Sequence, residues 1–104
     1  MEKEPVTSKY SESNFVNFFN TIKDLLFILD MDGNILAMNK TAEMRLGYTQ
    51  EELAGKSVLS VHPEARQKEA HQNVQEMLED KREFCPIPLI AKDGYEFPVE
   101  TRVS

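Results

Sequence analysis

The chain has 104 residues, 40% apolar and 29% charged, which is the size and composition of one folded domain. Twelve basic residues against eighteen acidic ones give a net charge of −6. No basic face for phosphates is therefore expected, and nucleic acid is excluded as a partner.

The longest apolar run, Leu25 to Leu29, is too short to span a bilayer, and the Met-Glu-Lys-Glu-Pro start is no signal peptide. The single cysteine, Cys85, forbids an internal disulfide and argues against a cysteine zinc site. A cytoplasmic domain that makes no membrane contact is expected. Residues 1–13 are polar, with one proline and three serines, and read as a flexible N-terminal tether. Phe15, Phe18, Phe19 and Ile22 then fall at i, i+3, i+4 and i+7, the stripe of a short amphipathic helix. Such a stripe either covers a sheet or serves as a dimer contact and lead-in helix.

Residues 25–29 are apolar on both parities and predict a strand covered on both faces. The Asp30-Met31-Asp32-Gly33-Asn34 turn returns the chain into a strand over 35–38, closing a first hairpin. Residues 40–46 form a short helix that Gly47 can stop in a left-handed conformation. Thr49-x-x-Glu52 is a capping box for a second short helix ending at Gly55. A longer helix runs from about Pro63 to Asp80, with Ala70, Val74, Met77 and Leu78 on its apolar stripe. The second hairpin pairs 84–91 with 95–103 across the Lys92-Asp93-Gly94 turn. The odd residues are Cys85, Ile87, Leu89 and Ala91 on the first of these strands and Tyr95, Phe97, Val99, Thr101 and Val103 on the last, where the polar even positions place the odd ones inward. Pro86 and Pro88 share a parity and place 84–91 at a sheet edge.

Leu29-Asp30-Met31-Asp32-Gly33-Asn34-Ile35, then Asn39 and Ala42, then Leu46-Gly47-Tyr48-Thr49-x-Glu51-Glu52-Leu53-x-Gly55, then His62-Pro63, and finally Lys92-Asp93-Gly94 with Val99-Glu100, stand in an order that resembles the PAS sensory-domain family. The resemblance covers residues 14–104. It implies an α+β fold, an antiparallel sheet with short helices and one longer helix on one face. Five strands make the family's sheet and four are recognised here. The fifth, which lies between the first strand and 95–103, should follow residue 104, so a gap or two unpaired strand edges are expected. The resemblance further implies a sensory module of bacterial signalling proteins, acting on an output histidine kinase or diguanylate cyclase domain of the same chain.

A pocket is expected between Phe27 and Leu29 on the first strand, Asn39, Val58, and His71, Val74, Met77 and Leu78 on the long helix. Cys85, Ile87, Leu89, Phe97, Val99 and Thr101 close its other side, with Asn39 and Thr101 as the polar handles. His71 is the one candidate metal ligand, because haem-binding PAS sensors carry an axial histidine on this helix; otherwise no cofactor is expected. Flavin photochemistry is disfavoured, since Val58 follows Ser57 where light sensors carry their reactive cysteine, and Cys85 reads as a small buried side chain. His62 before Pro63 reads as a turn residue, and Asp30 and Asp32 as turn chemistry rather than a cation site. Met31, Met38, Met44 and Met77 read as core or pocket filling. No phosphate loop, serine elbow, kinase signature or H-E-x-x-H occurs, so no catalysis is expected. The functional expectation is a sensory module that binds a small ligand or partner, with a ligand-free dimerisation module as the alternative and a haem sensor as a third reading. A homodimer is expected.

Overall fold

In the computed structural model, residues 14–102 are described; the expected tether and the last two residues, Val103 among them, lie outside the described residues. The first described helix, α1 (14–21), does not cover a sheet. Phe15 and Phe18 are 52% and 63% exposed, Phe15 stacks on Phe19 at 5.6 Å, and of the apolar stripe only Phe19 and Ile22 are half-buried.

The first hairpin joins β1 (Phe27–Leu29) to β2 (Ile35–Met38). Its register pairs Phe27 with Met38 and Ile28 with Ala37, then slips so that Leu29 pairs with Ile35 and Leu36 has no partner. Strict alternation would bury Ile35 with Ala37. The bulge buries Ile35 with Met38 and turns Leu36 outward. β1 is half-buried at all three residues, so neither of its faces is fully covered, contrary to the sequence reading. Asp30 builds the turn. Its Oδ1 accepts from the Asp32 and Asn34 amides, both at 2.9 Å, and the Asn34 amide bond chiefly holds its carboxyl below the usual range. The outer edge of β2 is covered by residues 55–58, through Ile35 N–H to Lys56 O and Gly55 N–H to Ile35 O, both 2.8 Å.

Helix α2 (Lys40–Leu46) ends as expected at Gly47, with φ +80°. Helix α3 (Gln50–Leu53) carries the complete Thr49/Glu52 capping box. Two 3₁₀ turns, Val58–Val61 and Glu64–Arg66, precede α4 (Gln67–Leu78), which is therefore shorter than the span from Pro63 to Asp80. The final turn of α4 closes on Asp80 at φ +61°, with Lys81 N–H bonded to Glu76 O and Asp80 N–H to Met77 O.

The second hairpin is reduced to β3 (Leu89–Ile90) with β4 (Glu96–Phe97), plus one isolated bridge between Cys85 and Thr101. Pro86 and Pro88 interrupt the ladder between those points. The inward parity holds for Cys85, Ile87, Leu89 and Phe97, all buried. Tyr95 is the exception: it stacks on Phe97 at 6.2 Å on the same face but stands beyond the edge of the core, and it is exposed. Lys92 fastens this hairpin to the helices, its N–H bonded to Leu46 O at 2.8 Å and its Nζ 2.7 Å from Glu52 Oε2.

The strands form two separate two-stranded sheets, β1 with β2 and β3 with β4. Among the described residues, nothing pairs with the free edges of β1 and β4. The core is likewise in two clusters. One packs Ile35, Met38, Ala42, Leu46, Leu53, Val61, Leu89 and Phe97; the other packs α4 through Ala70 and Met77 against Cys85 and Ile87. Full burial of each large apolar side chain contributes about 1.5–3 kcal/mol. Met31 and Met44 belong to neither cluster and are exposed.

Candidate functional site

The residues expected to line one pocket divide between the two clusters. Leu89 and Phe97 are buried in the first, with Phe27, Leu29, Val58 and Val99 half-buried against it. Cys85, Ile87 and Met77 are buried in the second, with Val74 at its margin. Thr101 is half-buried and joined to Cys85 by a reciprocal pair of backbone hydrogen bonds of 2.8 and 2.9 Å.

His71 and Leu78 do not join them: both are exposed, Leu78 at 62%. The inward face of α4 is Ala70, Asn73 and Met77. Residues 71 and 78 lie about 100° or more round the helix from it and turn toward solvent, while Val74, between the two faces, stays half-buried at the margin of the cluster. An axial haem ligand has to enter the pocket, and an exposed His71 does not fit that role. Asn73, 5% exposed, occupies the inward position instead, its Nδ2 3.6 Å from Cys85 Sγ. The signal for it was the spacing: Asn73 stands three after Ala70 and four before Met77, on the apolar stripe itself.

Asn39 is fully buried, but it is not a handle facing a pocket. Its Oδ1 caps α2 through the Ala42 amide at 3.0 Å and accepts the Leu26 amide at 3.1 Å. Its Nδ2 donates to Asp24 O at 2.9 Å and to Ile22 O at 3.4 Å. Four bonds are all that an amide side chain can make. Two neighbours reinforce the latch, Thr41 Oγ1 donating to Ile22 O at 2.6 Å and Lys40 N–H to Asn20 Oδ1 at 3.2 Å. The end of α1 and the lead into β1 are thus bolted to the start of α2.

His62 caps the first 3₁₀ turn and is 4% exposed. Its Nδ1 lies 3.0 Å from the Pro88 carbonyl oxygen, so the neutral ring donates from Nδ1. Burial pushes its pKa down, and the Pro88 bond opposes this only in part. Open depressions among the described residues include one of about 380 Å³ lined by Met77, Asp80, Lys81, Arg82 and Glu83 and one of about 310 Å³ between Met44, Gly47 and the Lys92 turn. Among the described residues no cluster of potential ligands could hold a metal ion, and no helix is long and apolar enough to cross a membrane.

The family model of the PAS fold matches residues 13–104. The chain belongs to the PAS family. The crystal structure of a PAS domain from Desulfitobacterium hafniense is 31% identical, with a TM-score of 0.75, over 85% of this chain and 83% of that one. A domain of a sensory box sensor histidine kinase/response regulator from Geobacter sulfurreducens shares the fold at 18% identity, with a TM-score of 0.72, over 88% of this chain and 81% of that one. A methyl sulfide methyltransferase-associated sensor of Methanosarcina acetivorans is 27% identical over 93 residues, 88% of this chain. The chain spans 9% of that sensor's length. PAS domains are sensory modules rather than catalysts.

Proposed function

We propose that this PAS domain is the cytoplasmic sensory part of a longer signalling protein, binding a small ligand and biasing an output domain such as a histidine kinase or diguanylate cyclase. The latch at Asn39 carries this reading. A ligand that repacks the core under β2 and α2 changes the seat of Asn39, and through Ile22, Asp24 and Leu26 the position of α1. Transmission requires that the ligand bind one arrangement more tightly than the other; the coupling is then reciprocal. α1 offers its exposed Phe15, Val16 and Phe18 as the surface on which a second copy docks. That surface also supports a second reading, a dimerisation module with a filled core and no ligand.

Native mass spectrometry and light scattering of the purified chain separate the two. The sensory reading expects a dimer that carries, or takes up from a metabolite extract, a small molecule. An empty dimer that takes up nothing favours the second reading. Phe18→Ser should yield a monomer, and a wild type monomeric at all concentrations would remove both.

A further inference from the structure

His62 stands where the two core clusters meet. The first 3₁₀ turn gives Val61 to the first cluster and sets Leu59 against the second, while Ile87 belongs to the second and Leu89 to the first. The bond of 3.0 Å between His62 Nδ1 and Pro88 O crosses between these two segments at that seam. Little else ties them. Among the described residues, this is the single hydrogen bond made by residues 86–88. Pairing with the last strand is confined to Cys85 on one side and Leu89 onward on the other, and the prolines at 86 and 88 have no N–H to offer. The His62 backbone is held within its own turn, its N–H bonded to Leu59 O at 3.0 Å. The imidazole is the connection, and its protonation decides whether it can stay.

The neutral ring, 4% exposed, donates from Nδ1 and brings no charge into the core. A proton added at Nε2 brings both a charge and a second donor, and Nε2 makes no hydrogen bond among the described residues. Burying such a group unpaired is costly. The first 3₁₀ turn and residues 86–89 carry no titratable side chain. The second 3₁₀ turn carries Glu64 and Arg66, and α4 carries Lys68, Glu69, His71 and Glu76, all exposed except the half-buried Glu76. The second hairpin adds the buried Cys85 thiol and the exposed Glu96. None of these acts on the His62 pKa, which burial lowers and the Pro88 bond alone raises. We propose that His62 is a proton-operated pin. Neutral, it holds residues 86–88 to the first 3₁₀ turn; protonated, its ring turns out to water and that segment comes away, opening the seam while the rest of the fold stands. The pin is in place above pH 6.5, the ring's ordinary value, and is lost progressively as pH falls from there toward the lowered folded value. The proton is an input distinct from the small ligand proposed above, and the pin works whether or not that ligand binds.

The single cysteine is a built-in probe, because Cys85 is fully buried beside this segment. Its labelling by 4,4′-dithiodipyridine is measured from pH 7.5 to 5 and divided at each pH by the rate for the urea-unfolded chain. The accessible fraction should rise below pH 6.5, by at most about tenfold per pH unit, the limit for one proton. It should exceed the globally unfolded fraction found by chemical denaturation. By NMR the His62 ring should titrate below 6.5, and the rise should level off at that value. His71→Gln, which changes the other histidine, exposed on α4, should leave the rise intact. His62→Asn, which keeps a donor that does not titrate, should abolish it. A flat accessible fraction, one equal to the globally unfolded fraction at every pH, or a rise that persists in His62→Asn overturns the inference. A His62 ring that titrates at 6.5 or above overturns it too, so the wild type decides the matter even if the asparagine variant fails to fold.

Discussion

Asn39→Ala removes the bolt between the lead-in helix and the core, and its cost can be worked from the bonds lost. Loss of the α2 cap, the Ala42 amide bond, costs about 1 kcal/mol. The Leu26 amide and the Asp24 carbonyl each lose a well-formed partner, at about 1 kcal/mol apiece. The Ile22 carbonyl, 3.4 Å from Nδ2, keeps its 2.6 Å bond from Thr41 and adds little. The sum is about 3 kcal/mol, a large part of the roughly 5–15 kcal/mol that holds a domain together. Asn39→Ser keeps a capping oxygen but cannot span to residues 22–26, so it should fall between wild type and alanine. Urea unfolding followed by circular dichroism measures all three. A loss under about 1 kcal/mol for alanine would refute the reasoning, since the cap alone accounts for that much.

Gly47→Val should destabilise the domain by about 1–2 kcal/mol. A Cβ there meets Lys92 Cβ at an ordinary 3.6 Å, so the cost is in the backbone at φ +80°, and unchanged thermal unfolding would contradict it. Asp80→Gly should stabilise by about 0.5–1 kcal/mol, since glycine adopts φ +61° freely at the end of α4; a lowered melting temperature would count against it. The folded-state pKa of His62 lies below its ordinary 6.5, so the unfolded chain takes up the proton first. Stability should therefore fall as pH drops through 6.5 toward the folded value, by at most about 1.4 kcal/mol per pH unit. Chemical denaturation between pH 7.5 and 5 should show this slope in wild type and a flatter one in His62→Asn.

Much of the fold was legible because its punctuation is local. The Asp30–Asn34 turn, the Gly47 stop and the Thr49/Glu52 box each need only a few neighbouring residues, and each stands where the chain announces it. What could not be read depends on distant partners. The bulge that buries Met38 in place of Ala37 is fixed by the packing of β2 under α2 and α3. Val74 and Leu78 are as apolar as Met77, and only the placement of residues 85–87 decides that α4 presents Ala70, Asn73 and Met77 to them. That same rotation carries His71 to the solvent side. Asn39 was singled out correctly as a buried polar residue, yet its role differs, because its partners at 22–26 are revealed only when the chain folds back on itself.

The central claim is that the lead-in helix and the core move as one unit through the latch. Native-state hydrogen exchange at the Leu26 and Ala42 amides, which share Asn39 Oδ1 as acceptor, tests it most directly. Phe18→Ser, acting only on the exposed face of α1, should speed exchange at both amides together. The Lys92 amide, bonded to Leu46 O at the far end of α2, should be unaffected. Exchange altered only within residues 14–21, with Leu26 and Ala42 as protected as before, would contradict the coupling.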